Sequence, residues 1–138
     1  MYQERITLTT HGEGDIIDIT KNLAEIIQRS NVATGLVHVF VPGSTAAITT
    51  IEYEDGVLSD LNRSLRTIAP QDVPYRHDLR WGDGNGRSHV NAAILGPSLT
   101  IPVSGGVLLL GTWQQAVLVE LDIRPSWERD IIITVQGT

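Results

Sequence analysis

Two histidines and an aspartate, His77, Asp83 and His89, fall within thirteen residues, and Arg76, Arg80 and Arg87 accompany them. Two imidazoles and a carboxylate suffice to ligate zinc, magnesium or manganese when a loop folds them together, and an open further position suits catalysis better than structure. Without a metal, the same groups can act as acid and base. The arginines add a direction. The chain has nine arginines and a single lysine, Lys21, so a third of its guanidinium groups lie in this stretch. Arginine is the side chain suited to bidentate capture of phosphate or carboxylate, so a small anionic substrate is expected. A plainer reading stands beside this one, because loop histidines and arginines also serve as solubilising surface, and spacing does not separate the two.

Other motifs fail on spacing. Asp83-Gly84-Asn85-Gly86 opens like a calcium loop, but Ile94 stands where the bidentate glutamate is needed. Gly86-Arg87-Ser88 ends like a phosphate loop, yet Arg87 replaces the lysine and Trp81 the first glycine. Gly12-Glu13-Gly14 lacks the third glycine of a dinucleotide turn, and no Gly-x-Ser-x-Gly marks a nucleophile elbow. His38 sits in an apolar strand pattern and reads as a hydrogen-bonded core residue, and His11 reads as an exposed turn residue. Trp113 follows Gly111-Thr112 and either stacks on a heteroaromatic ring or covers the core. Ser44-Thr45 either offers hydroxyls and amides to an anion or caps a turn.

The elements that must position these residues belong to one domain of 138 residues, enough to build a core by packing alone. There is no cysteine, which excludes disulfides, thiol nucleophiles, thiolate zinc sites and iron–sulfur clusters. Any metal must use His, Asp, Glu or Asn. Sixteen acidic against ten basic residues give a net charge of −6, the wrong sign for a general nucleic-acid binder. Aliphatic runs such as Val107–Leu110 are four residues long, against roughly 18 for a membrane span. The first fifteen residues carry Glu4, Arg5, Glu13 and Asp15 and no apolar signal core, so a cytoplasmic protein is expected.

Residues 4–10 alternate as a strand does. Thr20 is a candidate N-cap for a helix striped by Leu23, Ile26 and Ile27 and ending near Ser30-Asn31. Gly35–Val41 is apolar on both faces, which predicts a central strand covered on both sides. After Pro42-Gly43-Ser44, the β-branched run Thr45–Ile51 predicts a strand able to pair with it. Leu58, Leu61, Leu65 and Ile68 predict a second helix stopping before Pro70. Residues 70–89 have no period, and a long irregular segment in a compact domain is more often functional than decorative. A short helix is expected over 88–95. Leu99, Ile101 and Val103 alternate, with Pro102 arguing for an edge, and Gly105-Gly106 predicts a hairpin into Val107–Leu110. Residues 116–122 and 130–135 supply further strands. The fold class expected is α+β with a largely antiparallel sheet system.

Four segments carry a family resemblance: Val41-Pro42-Gly43-Ser44-Thr45-Ala46-Ala47-Ile48, Asp83-Gly84-Asn85-Gly86-Arg87-Ser88-His89, Leu95-Gly96-Pro97-Ser98 followed by Ile101-Pro102-Val103, and Leu110-Gly111-Thr112-Trp113-Gln114-Gln115. They resemble the YjbQ-like family, also called the secondary thiamine-phosphate synthase family, over nearly the whole chain. The resemblance implies one YjbQ-like domain over residues 1–138, with β-sandwich-like sheets, two to three helices, and a homotrimer with sites near subunit boundaries. It implies a pocket holding Tyr75, His77, Asp83, Asn85 and His89, a metal or anion site, with Ser44, Thr45, Glu52, Thr112, Trp113 and Gln114 nearby. Gly43 stands where many members carry histidine, so a three-histidine metal site does not carry over whole. Glu120-Leu121-Asp122 leads into Ile123–Arg129, where members often show a Pro-Arg-rich turn directly. The implied activity joins a hydroxymethylpyrimidine pyrophosphate to a thiazole phosphate and releases pyrophosphate. His77, Asp83 and His89 would be catalytic or hold a divalent metal, with Arg80 and Arg87 on the polyanion. The alternatives are a metal-dependent phosphate-ester hydrolase and a non-catalytic trimer that binds a metal or a small anionic metabolite.

Overall fold

The structure, a computed structural model, describes residues 1–138. Its order is β1 (Tyr2–Thr10), β2 (Ile16–Asp18), α1 (Thr20–Ser30), β3 (Gly35–Phe40), β4 (Ala46–Ile51), α2 (Asp55–Ile68), α3 (Arg76–Trp81), α4 (Gly86–Leu95), β5 (Ser98–Ser104), β6 (Val107–Leu108), β7 (Gln115–Glu120) and β8 (Trp127–Gly137). Every strand pairing is antiparallel. One sheet has the order β1-β8-β3-β5-β6 and the other β2-β7-β4, so the fold is α+β as the patterning predicts. No helix is long and apolar enough to cross a membrane.

The inward residues of the two sheets meet in one core. Val37, Val39, Ile101, Val103, Ile131 and Ile133 come from the larger sheet, Ala46, Ile48, Ala116 and Leu118 from the smaller, and Leu23, Ile26 and Ile27 of α1 close it. A second core lies on the outer face of the smaller sheet, where Ala47, Val117 and Val119 pack under Leu65 of α2 and Ala92 of α4. The smaller sheet is therefore sandwiched, and its middle strand β7 is buried from Ala116 through Glu120.

The strand covered on both faces is thus β7 and not β3, which corrects the expectation for 35–41. Val37 and Val39 are buried, whereas Leu36 is 48% exposed and His38 and Phe40 also face outward. Within this chain nothing overlays that side of the larger sheet. Nor do β3 and β4 pair: β3 lies between β8 and β5, and β4 pairs with β7. Pro42–Thr45 carries the chain from one sheet to the other. Thr20 is the first residue of α1 instead of its cap, and its hydroxyl accepts a hydrogen bond from the Ala116 N–H at 2.9 Å, tying α1 to β7.

Residues 70–89 are more ordered than their lack of period suggests. They contain α3 and the start of α4, so there are four helices where two to three were expected. Gly82 and Gly84 supply left-handed turns with φ of 70° and 72°, angles that residues with a Cβ adopt at a cost. Asp78 Oδ1 then accepts from the Gly86 N–H at 2.8 Å, which fixes the first turn of α4 against α3.

Candidate functional site

The loop between α3 and α4 folds back on itself and brings the spaced-out histidines together. His77 stands on α3 and His89 on α4, with ring centroids 4.5 Å apart and planes tilted by 54°. Asp83, in the intervening turn, places Oδ2 3.2 Å from His77 Nε2. Asn85 immediately precedes α4. With its amide nitrogen turned toward this cluster, it donates to Asp83 at 3.1 and 3.2 Å and stands 3.0 Å from His77 Nε2. Close packing holds the arrangement. A Cβ on Gly86 would fall 2.6 Å from Tyr75 Cβ, so only glycine permits this approach, and the Tyr75 hydroxyl donates to the Pro70 carbonyl. The His77 and Asp83 side chains remain 33% and 46% exposed, open to a solute.

A divalent metal fits this donor set poorly. His77, Asp83 and Asn85 are hydrogen-bonded to one another, and no three histidine, aspartate or glutamate side chains of the chain are grouped to hold an ion. The geometry is that of an imidazole oriented by a carboxylate, an acid–base arrangement.

Behind the loop lies a buried polar network that sequence spacing does not reveal. Glu120 is 1% and Arg129 4% exposed. Arg129 Nε donates to Glu120 Oε1 at 2.8 Å and Nη2 to Oε2 at 2.6 Å, and Nη2 also donates to the Thr45 hydroxyl at 2.8 Å. The Thr10 hydroxyl and the N–H groups of Leu121 and Asp122 complete the Glu120 shell. Burial pushes the Glu120 carboxyl up, but the bonds from Arg129, Thr10 and the Asp122 N–H outweigh it and hold the group below the usual carboxylate range. Asp122 behaves alike: desolvation raises it, and hydrogen bonds from Thr45, the Arg124 N–H and Asn85 lower it further. With its amide reversed Asn85 instead donates to Asp122 Oδ2 at 3.5 Å, so it lies between the open cluster and the buried one and serves one of them at a time. Trp127 is flanked by the guanidinium groups of Arg124 and Arg129, at 4.1 and 4.0 Å. The available signal was charge in an apolar context, since Glu120 and Asp122 directly extend the run Ala116–Val119.

The remaining candidates divide by position. Ser44 and Thr45 lie at the buried network, and Ser44 shares a recess of about 280 Å³ with Gly43, His89, Ala92 and Pro97. Arg87 spends its fork on Glu13, with both bonds at 2.9 Å, so a carboxylate of the chain already holds the bidentate position. Arg80 leans over the Trp81 ring at 5.3 Å. Thr112, Trp113, Gln114 and Glu52 lie elsewhere. Gln114 donates to the Thr50 hydroxyl at 3.1 Å, and Glu52 follows β4, where Ile51 opposes Gln115. That end of β7 is separated from Glu120 by five residue steps, roughly 17 Å at ~3.3 Å per residue. Trp113 is 73% exposed and covers no core.

Comparison with known proteins agrees with this architecture. A sequence model of the family described as "UPF0047 protein YjbQ-like" matches residues 4–138. The UPF0047 protein YjbQ of Salmonella typhimurium is 36% identical over 140 residues, covering 99% of this chain and 98% of that protein. A UPF0047 protein of Methanothermobacter thermautotrophicus is 37% identical over 122 residues, covering 88% and 84%. Among solved structures, a YbjQ-like protein of unknown function from Sulfolobus solfataricus P2 superposes with a TM-score of 0.92 at 33% identity, over 99% of this chain and 97% of that one. A hypothetical protein from Aeropyrum pernix K1 gives 0.90 at 32% identity over the whole of both chains. By sequence over nearly its full length and by fold, the chain belongs to the YjbQ-like UPF0047 family.

Proposed function

We propose that this protein is a transferase of the thiamine-phosphate synthase type, acting on small phosphorylated substrates at the His77–Asp83–His89 cluster. The observation that carries the reading is the convergence of two imidazoles, one of them oriented by Asp83, on a solvent-open surface. In the reaction, the bond between the pyrimidine methylene carbon and the pyrophosphate oxygen breaks, its electron pair leaves with pyrophosphate, and the thiazole nitrogen lone pair forms the new C–N bond. The chemical demand is stabilisation of a departing polyanion. An imidazole N–H on His77 or His89 would meet it by donating to a pyrophosphate oxygen, with Asp83 orienting the His77 ring. A divalent ion would need a further ligand from outside the chain, so no step is assigned to one.

The split between the two ends of β7 supports a second part of the proposal, that the protein is a homotrimer whose site is completed across a boundary. Exposed Trp113 and the outward Leu36 and Phe40 are apolar surface that association would cover. Light scattering should give about three times the chain mass of 15.1 kDa. A monomer at micromolar concentration would refute the trimer.

The test of activity is product formation from the two heterocyclic phosphates. His89→Ala should abolish it while leaving the melting temperature nearly unchanged. Equal activity in the variant would remove His89 from the mechanism. Phosphate release from generic esters without the thiazole partner would replace the transferase with a hydrolase.

A further inference from the structure

Beside the histidine cluster lies a set of hydrogen-bond donors that the fold leaves unused. Arg129 is fastened on one side only: Nε and Nη2 bond Glu120 and Thr45, and Nη1 makes no hydrogen bond within the chain. This nitrogen of a buried side chain faces Gly43, where an added Cβ would stand 3.0 Å from it. The crossing between the sheets is equally unused, since the N–H groups of Gly43, Ser44 and Thr45 donate to no backbone carbonyl and to no side chain. Both sets border one recess of about 280 Å³, lined by Pro42, Gly43, Ser44, Thr45, Trp127 and Arg129, with Glu128 and Asp130 also on its wall. Asp130 is engaged elsewhere, by the Thr7 hydroxyl at 2.8 Å and by Arg5 at 3.5 Å. Gly43 and Ser44 line the His89 recess as well, so this crossing is the wall between the two.

We infer that Arg129 Nη1 and the amides of Gly43, Ser44 and Thr45 form an anion subsite that takes the phosphate of the phosphomonoester substrate, beside the recess that holds His89. This rests on the proposed function, because it names where that substrate's phosphate sits. Backbone amides left free where a chain bends can bind an anion, and a guanidinium held by Glu120 is already oriented, so little ordering is lost on binding. A phosphoryl group offers such a set of donors three acceptor oxygens and up to two charges, a carboxylate only two coplanar oxygens and one charge. Gly43 keeps the subsite open. Its backbone lies outside the left-handed region, so its role is space and not turn geometry.

The experiment is titration of the full-length protein with inorganic phosphate, and with acetate at equal ionic strength, by calorimetry. Gly43→Ala is the informative variant, because it sets a methyl group where an anion oxygen would approach Nη1 and leaves the Glu120 pair intact. Replacing Arg129 would strand a buried carboxylate and unfold the site. The expectation is saturable phosphate binding in the native protein, at least tenfold weaker in Gly43→Ala at an unchanged melting temperature, a loss of about 1.4 kcal/mol. His89→Ala should bind phosphate within about twofold of native, as befits a group outside the donor set. Equal phosphate affinity in native and Gly43→Ala protein, no saturable binding, or acetate binding as tight as phosphate would each overturn the subsite. So would loss of phosphate binding in His89→Ala, which would seat the anion on the histidines. Phosphate binding as expected together with full turnover by His89→Ala would uphold the subsite and overturn the proposed function.

Discussion

Two polar clusters meet at the end of β7 and handle charge in opposite ways. In the inner one, Glu120 and Arg129 are almost fully buried, and the carboxylate is bonded by the guanidinium, a hydroxyl and two backbone N–H groups. In the outer one, His77 and Asp83 are part-exposed and share a single contact of 3.2 Å, with Asn85 beside it. A buried network whose carboxylate is bonded on every side holds one geometry because every alternative strands a charge. A part-exposed pair can exchange partners with solvent at little cost. The inner cluster is thus the frame, with only Arg129 Nη1 left over for a solute, and the outer one is the part whose side chains are free to rearrange around a substrate.

The strongest way to break this contrast is to remove one side of the inner pair. Glu120→Ala leaves the Arg129 charge buried and should lower unfolding stability by about 3–5 kcal/mol, since breaking a buried pair costs far more than never having had one. Urea denaturation measures this, and a change under 1 kcal/mol would show that the pair is not the frame. The outer cluster should answer differently: His77→Ala and His89→Ala are expected to cut turnover by about 10²–10³, with denaturation midpoints near native. A variant that loses both together would merge the two roles.

Acid should weaken the inner network. Glu120 and Asp122 are both held below the usual carboxylate range by their hydrogen-bond donors. Groups with lowered folded pKa stabilise fully above their unfolded values, about 4, and lose that contribution as pH falls through the folded values. Stability should therefore decline on acidification below about pH 4. In Asp122→Asn the decline should be shallower by up to about 1.4 kcal/mol per pH unit, the weight of one proton. Parallel curves for the two proteins would mean that Asp122 has no lowered pKa.

What could be read in advance followed the range of the interaction. The stripe Leu23, Ile26 and Ile27 and the row from Leu58 to Ile68 gave α1 and α2, and Gly105-Gly106 gave the β5–β6 hairpin, because each is decided within a few residues. The rise of β7 to the centre could not be seen that way. Its apolar run resembles that of β3, and only tertiary packing decides which strand receives a layer on each face. The six residues of α3 are too few to show a period. At the site, clustering in sequence located His77, Asp83 and His89 because one loop holds all of them. It missed Arg129, whose partners Glu120 and Thr45 are nine and 84 residues away, and it credited Arg87 with a free fork that Glu13 occupies.

Arg87 offers the finest test of the contrast because it belongs fully to neither cluster. Its side chain is 14% exposed and Glu13's 35%, and the paired carboxylate pushes the Arg87 guanidinium further up from its ordinary value. The pair ties the first turn of α4 to the turn after β1, so it steadies the loop that carries Asp83 without touching the histidines. Glu13→Gln keeps a hydrogen-bond acceptor but removes the charge, and for a partly exposed pair the cost should be about 1 kcal/mol or less. If Arg87 only braces the loop, phosphate affinity measured by calorimetry stays within about twofold of native, since no donor at the Arg129 recess changes. If affinity instead rises several-fold, the released guanidinium has turned to the anion, and Glu13 is then a competitor that the substrate must displace.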